Sequence, residues 1–204
     1  MLPVPSVPEK YQRILELAWP YLDTRGNQEH IEGSLAYVRL LLAEEGGDPD
    51  VVIPGVILHD TGWSEVPEEL QTLSFGPDCP RPDLNRRHEV AGAEIATEIL
   101  RTVGWDPVLS EHIAEIVIGH DSRVEALSLE DALVKDADRL FRLTRCSFDL
   151  NVGWFRVTPQ EYMDELLADS PAWFFTETAE RLGREAFADL HLYLEELGRA
   201  EGAA

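Results

Sequence analysis

The sequence predicts an all-α fold in a single domain, and three observations carry that prediction. Apolar residues recur at helical spacing along most of the chain. No segment sustains the alternation of a half-buried strand. A chain of 204 residues with 44% hydrophobic content is long enough and apolar enough for one well-buried core.

The elements follow in order. A first helix is expected over 8–23, disturbed near Pro20, which has no N–H to continue the ladder. Asn27 reads as the N-cap of a second helix over 28–45, ended by Gly46-Gly47. Pro49 starts a short third helix within DVVIPGVILHD; with no polar face, it is expected to run through the middle of the core. The stretch 61–85 carries Gly62, Pro67, Gly76, Pro77, Pro80 and Pro82, and reads as a long loop with one helical turn at 68–73. Helices are then expected over 86–103, 107–120 and 129–145, the last with a capping box in which Asp131 replaces the usual Glu three residues after Ser128. A helical tail covers 159–168 and 176–198. There is no internal repeat and no low-complexity segment.

Charge narrows the partners. The net charge is −22, from 39 acidic and 17 basic residues. Such a surface repels phosphate backbones and anionic lipid, so neither a nucleic-acid polymer nor a membrane is an expected partner. No apolar run reaches the ~20 residues of a membrane helix, and the opening MLPVPSVPEKYQR lacks a basic leader followed by an apolar core. Two cysteines, Cys79 and Cys146, without a CxxC spacing, fit a reduced, cytoplasmic setting.

Four histidines and two aspartates carry the chemistry: His30, the pair His59-Asp60, His88, His120 and Asp138. Imidazole and carboxylate together suit a divalent cation. His59-Asp60 ends the most apolar helix, where two adjacent ionisable groups need a partner to offset burial. His30 shares a face with Ser34, Tyr37, Val38 and Leu41; His88 precedes Ala91, Gly92, Ile95 and Ile99, whose small members allow close helix approach; His120 follows Ile113, Ile116 and Val117. Asp138 faces inward between Val134 and Phe141, and Asp136 points elsewhere. His112 and His191 read as structural or exposed. A second His-Asp pair, His120-Asp121, lacks the apolar context of the first.

The ordered set resembles the HD superfamily of metal-dependent phosphohydrolases. The likeness rests on HIEGSLAYVRLLLAEEGGDPDVVIPGVILHD, on RRHEVAGAEIATEIL, on EIVIGHD and on DADRL, and covers about 26–145; residues 146–204 form an extension that caps the pocket or makes a dimer surface. The resemblance implies a helical bundle with His30, His59, Asp60 and Asp138 on a first metal, His88 and His120 on a second, and Asp60 shared. The cofactor is then one or two divalent ions among Fe, Mn, Co, Ni, Zn and Mg.

Two clamped metals suit displacement at phosphorus, so the expected activity is hydrolysis of a small phosphate ester, with nucleotides among the candidates. Nine of the 17 basic residues fall between 81 and 145; of these Arg86, Arg87, Arg123, Arg139 and Arg142 are the expected contacts to an anionic substrate. Besides Asp60, Glu65 is the expected catalytic acid, and Trp63 a platform for a base. The segment Thr61–Arg87, pinned between two candidate ligands, is expected to be a mobile lid forming one wall of the largest pocket, with a shortening between Leu70 and Pro80 impairing turnover. Two other functions share the ligand set: an HD-type di-iron oxygenase, favoured by extra protein ligands or a substrate lysine (Lys10 and Lys135 are the only lysines), and a non-catalytic nucleotide-binding module.

Overall fold

The computed structural model describes residues 7–71, 73–74, 81–169 and 173–201. Among these residues there is helix and no strand. The helices are α1 (Glu9–Ala18), α2 (Asn27–Glu45), α3 (Pro49–Leu58), α4 (Glu68–Gln71), α5 (Pro82–Val103), α6 (Pro107–Val117), α7 (Leu129–Arg142), α8 (Arg145–Phe155), α9 (Pro159–Asp169) and α10 (Glu177–Glu201), with 3-10 turns at Trp19–Leu22 and Thr61–Glu65.

Helix α3 is the axis of the bundle. Val51, Val52, Val56, Ile57 and Leu58 are all buried, and α1, α2, α6 and α7 pack round it. Asp48 caps it by accepting from the Asp50 N–H at 2.8 Å, and Pro49 takes the first helical position. Pro54 lies inside the helix and cannot donate to the Asp50 carbonyl one turn back. The Trp105 indole N–H donates to that carbonyl instead, at 3.3 Å, so the helix runs on without an orphaned acceptor.

Most boundaries follow the sequence, and four differ for physical reasons. Asn27 is the first residue of α2, not its cap. Gly26, with φ of 74°, takes the cap position, and the Asn27 amide donates to the Asp60 carbonyl at 3.4 Å. Helix α5 starts at Pro82, a turn earlier than expected, because proline is suited to the first helical position. Helix α6 stops at Val117, so His120 stands on the turn that follows. Helix α8 was not anticipated; Thr144 caps it through the Ser147 N–H at 3.2 Å. The Ser128 cap is present, with Oγ accepting from the Asp131 N–H at 3.2 Å. The return bond of the expected box reaches one residue further, from the Leu127 N–H to Asp131 at 2.9 Å.

The first part of the segment after α3 is not a loose loop. Thr61–Glu65 is a 3-10 turn packed on α5, and its Gly62 has no room for a side chain: a methyl there would overlap the His88 carbonyl oxygen and the Gly92 nitrogen. The Gln71 amide donates to the carbonyls of Trp63 (3.1 Å) and Val66 (2.8 Å) and ties α4 to that turn. Most of the stretch Leu70–Pro80, with Cys79, lies outside the described residues. A second apolar cluster of Leu143, Phe148, Tyr162, Met163, Leu166 and Leu190 joins α8, α9 and α10 at one end of the bundle. Asp136, on the far side of α7 from Asp138, accepts from the N–H groups of Phe175 (2.9 Å) and Thr176 (3.0 Å) and so pins the entry to α10. No described helix is long and apolar enough to cross a membrane.

Candidate metal centre

All six expected ligand residues converge on one spot. His30 comes from α2, His59 and Asp60 from the end of α3, His88 from α5, His120 from the turn after α6, and Asp138 from α7. Five are buried; His30 sits at the edge, with 12% of its side chain exposed. Among the described residues three trios have ligand atoms close enough together to hold a cation: His30, His59 and Asp138 on one side, His88, His120 and Asp121 on the other, and His59, Asp60 and His120 between these two. Asp60 lies between the outer two. Its Oδ1 is 3.8 Å from His59 Nε2, 3.8 Å from His88 Nε2 and 3.5 Å from His120 Nε2, and its Oδ2 is 3.7 Å from His30 Nε2.

The tautomers give the test of fit. His59 Nδ1 is 2.8 Å from the Val56 carbonyl and His120 Nδ1 is 2.8 Å from the Val117 carbonyl. A carbonyl only accepts, so each Nδ1 carries a proton, and each Nε2 is the nitrogen turned inward. His30 Nε2 lies 3.0 Å from His59 Nε2, and His88 Nε2 lies 3.3 Å from His120 Nε2. Four imidazole Nε2 atoms and three carboxylates thus face one another. A positive charge is what that donor set needs, and divalent cations fit it.

Burial works to raise the Asp60 carboxyl, but His59, the His120 hydrogen bond, His30 and Arg25 together hold it well below the usual carboxylate range. Asp138 is likewise held low against burial, first by Arg142 and then by His30. Burial also opposes protonation of His120, yet Asp121 and Asp60 push its pKa up to about 9. His88, with burial and His120 acting the same way, is pushed down to about 4.

The turn that carries His120 and Asp121 is clamped by buried charges. Glu89, next to His88 on α5, accepts from the N–H groups of Asp121 (3.1 Å) and Ser122 (2.8 Å) and from the Ser122 hydroxyl (2.7 Å). Lys135 donates to the carbonyls of Gly119 (2.9 Å), His120 (3.1 Å) and Arg123 (2.7 Å). The ammonium is therefore committed to the scaffold, and Lys135 does not line the cavity beside the cluster.

That cavity has a volume of about 340 Å³. His30, Asp60, Asp121 and Asp138 form its floor, with Arg25, Trp63 and Arg142 beside them. Opposite elements of the extension close it: Leu150, Trp154 and Phe155 of α8, Tyr162 and Leu166 of α9, and Trp173. Among its described residues, the expected lid contributes Trp63, Ser74 and Asn85 to the wall.

Several expected roles are corrected by position. Glu65 is exposed on a separate shallow cavity with Pro20 and Pro67, so it is not placed to protonate a leaving group at the cluster. Trp63 is not a free platform for a base: its ring stacks on His88 at 4.0 Å, Arg25 lies over it at 4.1 Å, and its indole N–H donates to Asp60 Oδ1 at 3.1 Å. Of the five expected arginines only Arg142 lines the cavity, bonded to Asp121 (3.1 Å) and Asp138 (3.0 Å). Arg86 pairs with Glu89 and the Ile118 carbonyl, Arg87 is exposed, Arg123 pairs with Asp131 and the Glu115 carbonyl, and Arg139 bonds the Trp173 carbonyl. The sequence did not single out Asp121 or Arg25. The second His-Asp pair signalled Asp121; nothing local signalled Arg25. His112 bonds the Ser128 hydroxyl at 3.0 Å, and His191 is exposed on α10.

The HD domain family model matches residues 27–143. A curated dioxygenase from Leisingera caerulea, acting on [1-hydroxy-2-(trimethylamino)ethyl]phosphonate and forming glycine betaine, is 30% identical over 100 residues, a stretch that spans about half of either chain (47% of each). A crystal structure of an HD superfamily hydrolase from an uncultured Thermotogales bacterium superposes with a TM-score of 0.62 over 92% of this chain and 90% of that one, at 17% identity. The second likeness concerns the fold alone.

Proposed function

The chain belongs to the HD-domain family, and we propose that it hydrolyses a small phosphate ester at a centre of one or two divalent metals held by His30, His59, Asp60, His88, His120 and Asp138, with Asp60 shared. The observation that carries this reading is the pair of facing imidazole Nε2 atoms on each side of Asp60, 3.0 Å and 3.3 Å apart. Bound divalent cations supply Lewis acidity there, lowering the pKa of coordinated water and neutralising charge on phosphoryl oxygen. The chain's own residues do the rest. Val56 and Val117 carbonyls fix the tautomers of His59 and His120. Arg142, bonded to Asp121 and Asp138, brings a cation to the rim where phosphoryl oxygens would lie. The aromatic wall of Trp154, Phe155 and Trp173 excludes water and takes the organic part of the ester.

The Leisingera relative favours a second reading, an oxygen-dependent di-iron enzyme on a phosphonate. Asp121, beside His88 and His120, is an extra carboxylate of the kind that reading favours, but no lysine lines the cavity; Lys135 is spent on three backbone carbonyls. The experiment is turnover of nucleoside monophosphates, p-nitrophenyl phosphate and hydroxyphosphonates, with Mn²⁺, Co²⁺ or Fe²⁺ added, in air and under anaerobic conditions. Metal-dependent phosphate release without oxygen supports hydrolysis. Turnover confined to Fe²⁺ and oxygen assigns the second reading, and metal-free protein with an intact fold in excess metal sinks both.

A further inference from the structure

Arg25 reaches the centre through a backbone conformation that residues other than glycine avoid. Its φ is 55° and that of Gly26 is 74°, so two successive left-handed residues bend the chain just before α2. The bend lays the guanidinium 4.1 Å from the centre of the Trp63 ring. His88 stacks on the same ring at 4.0 Å, within 12° of parallel. Trp63 is thus in contact with both a cation and a candidate ligand. Its indole N–H then fixes it to Asp60. A conformation this unfavourable at the mouth of a cluster is where function is to be sought.

The charge balance says what Arg25 is for. Its guanidinium feels Asp60, Asp121 and Asp138 as attraction and Arg142 as repulsion, and both arginines line the cavity. Four carboxylates, Asp60, Asp121, Asp138 and Glu165, line it with the two guanidinium groups. One divalent cation brings that balance to neutrality, and a second turns it positive. An anion with several oxygens is the ligand that restores neutrality, and guanidinium matches its geometry.

We infer that Arg25, together with Arg142, binds a tetrahedral phosphorus oxyanion, the phosphoryl group of an ester or the head of a phosphonate, with Trp63 as the platform that orients the guanidinium. This rests on the phosphorus chemistry proposed above and names the residue that recognises it. It holds for either source of the oxyanion.

The test is calorimetric titration of inorganic phosphate and of methylphosphonate into the Mn²⁺-loaded full chain. The variants are Arg25→Asn, Arg25→Lys and, as control, Arg184→Asn on the exposed face of α10; metal content and melting temperature are measured for each. Asparagine tolerates the left-handed backbone, so it removes the guanidinium without adding strain. Arg25→Asn is expected to weaken the better-bound anion by about 10- to 100-fold, the scale of a lost charge-assisted bond, with metal content unchanged. Arg25→Lys should fall between, since it keeps charge and loses the fork. Comparing the two anions in the wild type tells ester from phosphonate. Unchanged affinity in Arg25→Asn overturns the inference while leaving the phosphorus reading intact. Loss of metal or folding in both Arg25 variants places the residue in the scaffold and also overturns it. A wild type that holds metal yet binds neither anion overturns the phosphorus reading, and this inference with it.

Discussion

The two halves of the candidate centre are built differently. His30, His59 and Asp138 stand on α2, on the end of α3 and on α7, helices whose apolar faces form the main core. His88 shares that support, but its partners His120 and Asp121 stand on the irregular stretch between α6 and α7. There the backbone finds its partners in Glu89, Lys135 and Asp131, all buried. One half is therefore set by packing, which is distributed over many small contacts, and the other by a few buried charges, each costly to remove. The same kind of candidate ligand is held by both means, yet the second is open to single substitutions at residues that are not themselves candidate ligands.

The largest expected effect strikes what both halves share. Gly62→Ala forces a methyl into the backbone of α5 at His88 and Gly92, and backbone there cannot give way as a side chain could. A destabilisation of about 4 kcal/mol or more is expected, read as a loss of soluble folded protein or a large fall in Tm. A change below about 1 kcal/mol would show that the 3-10 turn is free to lift from α5.

Asp60→Ala comes next, since its oxygens face His30 on one side and His88 and His120 on the other. Metal content should fall to near zero on both sides while helicity is kept. Retention of one full equivalent would mean that the halves bind independently.

Lys135→Met separates the halves most sharply. It leaves the carbonyls of Gly119, His120 and Arg123 without their donor, at a cost of roughly 3 kcal/mol. The His30 side should still bind metal and the His120 side should lose it, so elemental analysis is expected to show about half of the wild-type content. Equal loss from both sites would break the comparison.

The smallest effect is expected for His112→Ala. It removes one hydrogen bond to Ser128 at the start of α7, worth about 1 kcal/mol, and metal content should be unchanged. Depletion of metal there would mean that the α6–α7 connection responds as a unit to any loss of its polar contacts.

The same division separates what could be read from the chain from what could not. Periodicity determined the helices of the main core and, with them, the inward positions of His30, His88 and Asp138, because a residue's face on a helix follows from its spacing to apolar neighbours. The apolar run of α3 marked His59-Asp60 as a buried pair for the same reason. Tertiary structure alone decided the rest. His120 was expected on a helix and stands on a turn, whose path follows from Glu89 and Lys135 rather than from its own residues. Asp121 shares a sequence signal with many exposed His-Asp pairs, and its place beside His88, at 3.6 Å, follows from that turn. Helix α8 carries a weak apolar pattern, and its wall over the cavity exists because α9 and α10 complete a second apolar cluster with it. Arg25 reaches the centre through a left-handed bend and a ring contributed by Trp63, 38 positions further on. Spacing along one helix is a local property. The meeting of a turn, a buried charge and a distant ring depends on how the whole chain packs, and no local pattern encodes it.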